Sequence, residues 1–157
     1  MSKYYMAYGS NMNIEDMKLR CPAAKVVGRR YLNGYRLMFN QYATIVKDKN
    51  SSVPILIWEI SEDDENQLDI YEGYPKLYHK ETIKCFIEGE REEIMVYVMN
   101  EFVPTPPTKE YFNTILSAYK ALLFSDDYLK DALADTIMIN DLPDNELRAD
   151  FVNSYFQ

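Results

Sequence analysis

Two stretches of this chain carry residue types that can do chemistry together. The first, Tyr5-Met6-Ala7-Tyr8-Gly9-Ser10-Asn11, is an apolar and aromatic run that stops at three small or polar residues. That pattern predicts a buried strand ending in a tight turn, whose backbone amides can bind anions and oxyanions. Read alone, it is more often simply the way a strand ends. The second stretch, Leu68-Asp69-Ile70-Tyr71-Glu72-Gly73-Tyr74-Pro75-Lys76-Leu77-Tyr78, puts a carboxylate between an aromatic residue and a helix-ending glycine. At the negative end of a helix dipole the charged form of a carboxylate is disfavoured, which raises its pKa toward the range useful for moving protons. Glu72 is thus a candidate general base. On spacing alone Asp69 and Glu65 fit nearly as well, and a solvated last-turn side chain is the plain reading.

The elements that must position these groups are legible in outline. After the first strand, Asn13 caps a short helix with Asp16 three residues on, and Pro22 closes it. Val26 to Tyr31 and Tyr35 to Phe39 read as strands joined by an Asn33-Gly34 hairpin turn, and Ala43 to Val46 and Val53 to Ile60 as strands separated by the polar loop Lys47 to Ser52. Ser61 caps the next helix, with Asp64 at the reciprocal position and Gly73 at its end. Tyr78 to Ile87 and Glu92 to Met99 fold over Glu88 to Arg91 as a further hairpin, and Pro104, Pro106 and Pro107 break the pattern. Then the period changes. Tyr111, Phe112, Ile115, Leu116, Tyr119, Leu122 and Leu123 share one helical face, followed by helices predicted over Asp126 to Met138 and Pro143 to Phe156. The fold class is α+β, a mixed and mostly antiparallel sheet curling into a small barrel with flanking helices. Residues 1–157 read as a single domain, with 108–157 a helical appendage to it.

Composition narrows the function. Hydrophobic residues at 47% and charged residues at 27% specify a folded core, and 157 residues suffice for one. Fourteen tyrosines against one tryptophan provide hydroxyls able to line a polar pocket. A net charge of -8 with no Lys or Arg block argues against nucleic acid as the ligand. Cys21 and Cys85 are isolated, so neither a zinc site nor a disulfide scaffold is signalled and two thiols in a reducing cytoplasm are expected. No apolar run has the length to span a bilayer, no leader pattern opens the chain, and no membrane partner is expected. Ser10 lies in no nucleophile-elbow motif, and the single histidine, His79, falls on a strand, so a Ser-His-acid triad is not expected. The run Glu62 to Glu65 matches a helix dipole rather than a metal site.

Taken together, Tyr5-x-Ala7-Tyr8-Gly9-Ser10-Asn11-Met12 and Leu68-Asp69-x-Tyr71-Glu72-Gly73-Tyr74-Pro75-x-x-Tyr78 resemble the gamma-glutamylcyclotransferase-like family, over roughly residues 3 to 111. Tyr97-Val98-Met99-Asn100 and Pro106-Pro107-x-x-x-Tyr111 resemble that family's last strand and its approach to a tyrosine. The resemblance implies a small β-barrel with flanking helices. It also implies a reaction that converts a gamma-glutamyl amide to 5-oxoproline and a free amine, with no cofactor and no metal. By the same resemblance Glu72 is the acid and base, and Tyr5, Met6, Ala7 and Tyr8 contact the glutamyl group through backbone. Gly9 permits the turn, Ser10 and Asn11 order it, and Tyr78 and Tyr111 add hydroxyls. Tyr-Gly-Ser-Asn stands where the glutathione-specific branch resembles Tyr-Gly-Ser-Leu, which speaks against glutathione as substrate. The partner implied is a small gamma-glutamyl molecule, its amine half unspecified. A non-catalytic small-ligand-binding or scaffold protein on the same fold is the alternative. About 45 residues beyond Tyr111 match none of these motifs; they can cover the pocket, set specificity or form a homodimer surface.

Overall fold

A computed structural model of the chain describes residues 2–137 and 144–157. The elements are β1 (Ser2–Ala7), a 3₁₀ turn (Ser10–Met12), α1 (Ile14–Arg20), β2 (Lys25–Asn40), β3 (Tyr42–Ser61), α2 (Glu62–Glu72), β4 (Tyr78–Ile87), β5 (Glu90–Met99), α3 (Lys109–Ala121), α4 (Asp127–Ala134) and α5 (Asn145–Ser154). The strands form one sheet in the order β2-β3-β1-β5-β4. The α+β class and the mostly antiparallel sheet are as expected. The sheet is open rather than barrel-closed, with β2 and β4 as its edges.

β1 lies in the middle of the sheet, antiparallel to β3 with Tyr5 opposite Trp58, and parallel to β5 with Tyr5 opposite Met95. A strand paired on both sides and covered on both faces needs a continuous apolar run, and Tyr5, Met6, Ala7 and Tyr8 are all buried. The end of β1 therefore opens into the interior of the molecule, beside α2.

The first hairpin differs from the sequence expectation. Asn33-Gly34 is not a turn: β2 runs on through it to Asn40, and the reversal falls at Gln41, whose φ is 64°. Gly34 instead occupies an irregularity at a φ of 86°. Facing it, residues 48–51 of β3 bulge out of register between the Asn33–Ser52 and Tyr35–Lys47 pairs. The Asp48 carboxylate holds that bulge by accepting from the Asn50 amide at 3.0 Å and the Ser51 hydroxyl at 2.8 Å. The polar run Lys47 to Ser52 thus stays within a long strand, because local side-chain bonds satisfy the bulged backbone.

α2 is bounded as its sequence dictates. Ser61 and Asp64 form a reciprocal capping box, with the Asp64 amide 3.1 Å from Ser61 Oγ and the Ser61 amide 2.9 Å from Asp64 Oδ2. Gly73 ends the helix at a φ of 67°, donating to the Ile70 carbonyl, while the Tyr74 amide donates to Asp69. This is a Schellman closure, which a left-handed glycine makes at no steric cost. β4 and β5 turn over Glu88 and Gly89, both at positive φ, so β5 starts at Glu90 rather than Glu92.

On α3 the buried residues are Phe112, Ile115, Leu116, Ala118 and Tyr119. Leu123, assigned to that face from its spacing, lies past the helix end and is 83% exposed. α4 stops at Ala134, short of the predicted Met138, and both Met138 and Pro143 lie outside the described residues. Arg36 of β2 ties α4 to the sheet through Asp135 at 2.8 Å. The chain end packs back on α3, where Phe112 meets Tyr155 and Phe156 with ring centroids 5.0 and 5.4 Å apart. Among the described residues, no helix is long and apolar enough to cross a membrane.

Candidate functional site

Glu72 is the last residue of α2, and polar contacts rather than a broad apolar face hold that helix in place. Tyr97 donates to Asp69 at 2.5 Å, Lys80 reaches Asp69 at 2.9 Å and Glu65 at 2.7 Å, and Lys3 reaches Glu65 at 2.7 Å. Arg20 of α1 stacks 3.7 Å from the Tyr71 ring centroid, and the Tyr71 hydroxyl lies 2.8 Å from Ser10 Oγ. The segment after Glu72 is pinned by Asn100, whose Nδ2 donates to the carbonyls of Pro75 and Lys76 at 2.8 Å each. These contacts set the three carboxylates apart. Asp69 and Glu65 are committed to lysines and a tyrosine, and Glu72 is the one that faces a cavity.

That cavity has two adjoining chambers. The inner one is a narrow polar slot of about 20 Å³, lined by Tyr5, Met6, Tyr8, Gly9, Ser10, Asn11, Ala43, Glu72, Tyr78, Tyr97 and Tyr111. The outer one, about 270 Å³, shares Ser10, Glu72, Tyr78 and Tyr111 with it and adds Tyr42, Ile70, Tyr71, Gly73 and Leu77. Tyr5, Met6, Tyr8, Gly9, Ser10, Asn11, Glu72, Tyr78 and Tyr111 are therefore brought together as expected from the sequence. Ala7 is the exception. It is buried in the sheet and lines neither chamber.

The Glu72 carboxyl is enclosed by the slot although the residue as a whole is half-buried. Burial raises its pKa from 4.5 to about 7, against the opposing pull of Arg20. The direction matches the sequence expectation, but the principal cause is desolvation rather than the helix dipole. Its contact with the opposing turn is Asn11, whose Nδ2 lies 3.3 Å from Glu72 Oε1 and 3.0 Å from the Tyr5 hydroxyl. Asn11 is itself buried, and its carbonyl accepts from Trp58 Nε1 at 3.0 Å.

Four tyrosine hydroxyls divide into donors and acceptors according to the partners they already have. Tyr8 donates to the Tyr97 carbonyl at 2.6 Å and Tyr78 to the Ala43 carbonyl at 2.7 Å, so toward a ligand each offers lone pairs. Tyr5 accepts from Asn11, and Tyr111 accepts from the Ala43 amide at 3.1 Å, so each keeps a proton to donate. Burial pushes all four above the usual tyrosine range, and they stay neutral. A slot that offers both neutral donors and acceptors suits a ligand that carries both a carboxylate and an ammonium.

Gly9 is needed for space rather than for a left-handed backbone, since its φ is −121°. A Cβ there would lie 3.1 Å from the Ala43 Cβ and 3.2 Å from the Tyr111 hydroxyl. The residues that sequence reasoning missed are Ala43, Tyr97, Tyr71 and the apolar wall of the outer chamber. Tyr71 and Tyr97 stood inside the motif stretches, but Ala43 acts through its backbone and left no signal. His79, set aside from the sequence, bonds Asn100 Oδ1 at 2.8 Å and Glu81 Oε2 at 2.7 Å and lines neither chamber. α4 and α5 contribute nothing to either lining, so the C-terminal extension does not cover the pocket from these helices.

Comparisons with known proteins bear on the family and the fold. A family model described as gamma-glutamyl cyclotransferase, AIG2-like, matches residues 5–116, a span that contains every residue lining the two chambers. Human (Homo sapiens) and mouse (Mus musculus) proteins named gamma-glutamylcyclotransferase are each 27% identical over 130 residues, covering 74% of this chain and 69% of theirs. A solved structure named gamma-glutamyl cyclotransferase is alike in fold, with a TM-score of 0.74 at 24% identity, covering 98% of this chain and 99% of that one. That likeness extends into the C-terminal helices, which the sequence motifs left unmatched.

Proposed function

The chain belongs to the gamma-glutamyl cyclotransferase, AIG2-like family, and from that premise we propose that it cyclises a gamma-glutamyl amide to 5-oxoproline with release of the free amine, using Glu72 as both acid and base. The observation that carries the reading is the Glu72 carboxyl: buried in the slot, with a pKa of about 7, and bonded to the turn that follows β1.

The chemistry follows from that geometry. The α-ammonium of the glutamyl group, whose ordinary pKa is about 8, must lose a proton before its nitrogen can attack the side-chain carbonyl. Glu72 takes it, and a base of pKa about 7 is well matched to that transfer. The nitrogen then adds to the δ-carbon, closing a five-membered ring and placing negative charge on the former carbonyl oxygen. Backbone amides of Gly9 to Asn11 and the free proton of Tyr111 are the donors for that oxyanion. The ring nitrogen, an NH2+ after the attack, must also give up a second proton. Collapse breaks the bond to the leaving nitrogen, which takes the first proton from Glu72 and then the second by way of the regenerated carboxylate, so the amine departs as an ammonium and nothing external is consumed.

The slot, which must widen from its volume of about 20 Å³ to admit the ligand, then holds the flexible glutamyl chain in its ring-closing conformation, a contribution of several kcal/mol in well-oriented intramolecular reactions. Tyr8 and Tyr78 accept from the ammonium, and Tyr5 donates to the α-carboxylate. The test is release of 5-oxoproline from gamma-glutamyl amides by the wild type and by Glu72→Gln. Release by the wild type that is lost in the variant supports the reading. A wild type that binds such amides without releasing 5-oxoproline would instead be a binding or scaffold protein.

A further inference from the structure

The outer chamber differs in character from the slot behind it. Its added wall is Tyr42, Ile70, Tyr71 and Leu77, and among the described residues lining it Glu72 is the single charged side chain. These four are open to solvent, Ile70 at 76% exposure, although Ile70 and Tyr71 stand on the last turn of a helix whose other exposed positions are mostly polar. An isolated exposed apolar side chain needs no explanation, but four converging on the mouth of a polar slot form a patch that contact with a ligand would bury. The wall is also held in shape. Gly73 and Leu77 are brought together by the left-handed end of α2, Tyr42 meets Tyr111 edge-on at 5.3 Å, and Asn100 fixes the Pro75 and Lys76 carbonyls beside Leu77.

We infer that this chamber receives the amine half of the substrate and selects gamma-glutamyl amides whose leaving amine carries an apolar group, branched aliphatic or aromatic. The inference rests on the cyclisation reading above. Ser10, Glu72, Tyr78 and Tyr111 border both chambers, so an amide bond attacked beside Glu72 has its glutamyl side in the slot and its leaving nitrogen directed at the apolar wall. Beyond the α-carboxylate that every amino-acid leaving group carries, a charged side chain would lose hydration at that wall without a lysine or arginine in the lining to replace it.

The experiment is 5-oxoproline release from five substrates with the same glutamyl half: the gamma-glutamyl derivatives of leucine, phenylalanine, glycine, glutamate and lysine. The expected result is a kcat/KM for the leucine and phenylalanine compounds at least roughly tenfold above the other three, the discrimination that apolar pockets supply. Ile70→Ser and Leu77→Ser should each bring the leucine-to-glycine ratio toward one, whereas a ratio that stays unchanged in both variants contradicts the assignment. Turnover of the glycine, glutamate or lysine compound as fast as the apolar pair overturns the inference and leaves cyclisation standing. Absence of 5-oxoproline from all five overturns the cyclisation reading, and the leaving-group assignment falls with it.

Discussion

Asn11 Nδ2 sits 3.3 Å from Glu72 Oε1, joining residues 61 apart in sequence, and the same amide donates to the Tyr5 hydroxyl at 3.0 Å. One buried side chain therefore ties the turn after β1 to the carboxylate that ends α2. It also leaves the Tyr5 proton free to be donated elsewhere. The proposed site depends on that link, because the donors and the base sit on separate elements that no stretch of local sequence connects.

Replacing Asn11 by alanine removes a donor from the carboxylate. A hydrogen bond to a charged group contributes about 1.5–3 kcal/mol, and a pKa unit corresponds to about 1.4 kcal/mol. Given the long contact of 3.3 Å, Asn11→Ala should raise the Glu72 pKa by about one unit. The acidic limb of the kcat/KM profile should move to higher pH by that amount, with far-ultraviolet circular dichroism unchanged. A limb that stays in place removes Asn11 from any role in tuning Glu72.

Glu72→Gln should lower kcat by roughly 10²- to 10⁴-fold, the range for loss of a positioned acid or base. In the wild type, kcat/KM should climb about tenfold per pH unit well below pH 7 and level off above it, because the base must be deprotonated and its pKa is about 7. Steady-state 5-oxoproline release from pH 5 to 8 measures both.

The same residue should be costly to stability. A carboxyl raised from 4.5 to about 7 on folding retains its proton in the native state across a window where the unfolded chain has lost it. Native protein then binds more protons than unfolded protein, and stability falls as pH rises from about 4.5 to about 7. At about 1.4 kcal/mol per unit the loss amounts to about 3 kcal/mol. Glu72→Gln should therefore be more stable than wild type at pH 8, and much less so at pH 4.5. Urea midpoints of the two proteins at both pH values give the comparison, and a difference independent of pH counts against a buried, proton-retaining Glu72.

Gly9→Ala tests the close approach at the turn. The added Cβ would lie 3.1 Å from the Ala43 Cβ and 3.2 Å from the Tyr111 hydroxyl, so the turn and the Ala43 segment must separate by a few tenths of an ångström. Overpacking of this kind costs about 1–3 kcal/mol, and displacing oxyanion donors should reduce kcat by about tenfold or more. Thermal unfolding together with kcat separates the two effects. Full activity in a destabilised Gly9→Ala protein would show that the turn does not set the chemistry.

Much of the fold follows from local signals that structure had no reason to override. The capping box of Ser61 and Asp64, the left-handed Gly73 and the turn at Gly89 are determined within a few residues of chain, and each appears where the sequence predicts it. Asn33-Gly34 did not become a hairpin, since its turn preference amounts to far less than the long β2–β3 ladder gained by continuing to Gln41. Local preference decides where nothing larger competes.

The amino-acid sequence was enough for the family, most of the elements and the two stretches that meet. Spacing alone left Glu65, Asp69 and Glu72 nearly equal as candidate bases, because they differ little in local chemistry, and only the family resemblance favoured Glu72. Tertiary contacts give the three different surroundings: Lys3, Lys80 and Tyr97 engage the first two, while the third is enclosed among Tyr5, Asn11, Tyr78 and Tyr111 and loses its water. The same holds for Ala43, which contributes a backbone amide and carbonyl, groups every residue carries, and becomes part of the site only where the chain brings them against Tyr78 and Tyr111. Desolvation and backbone placement are properties of how distant segments pack, so no reading of one segment contains them.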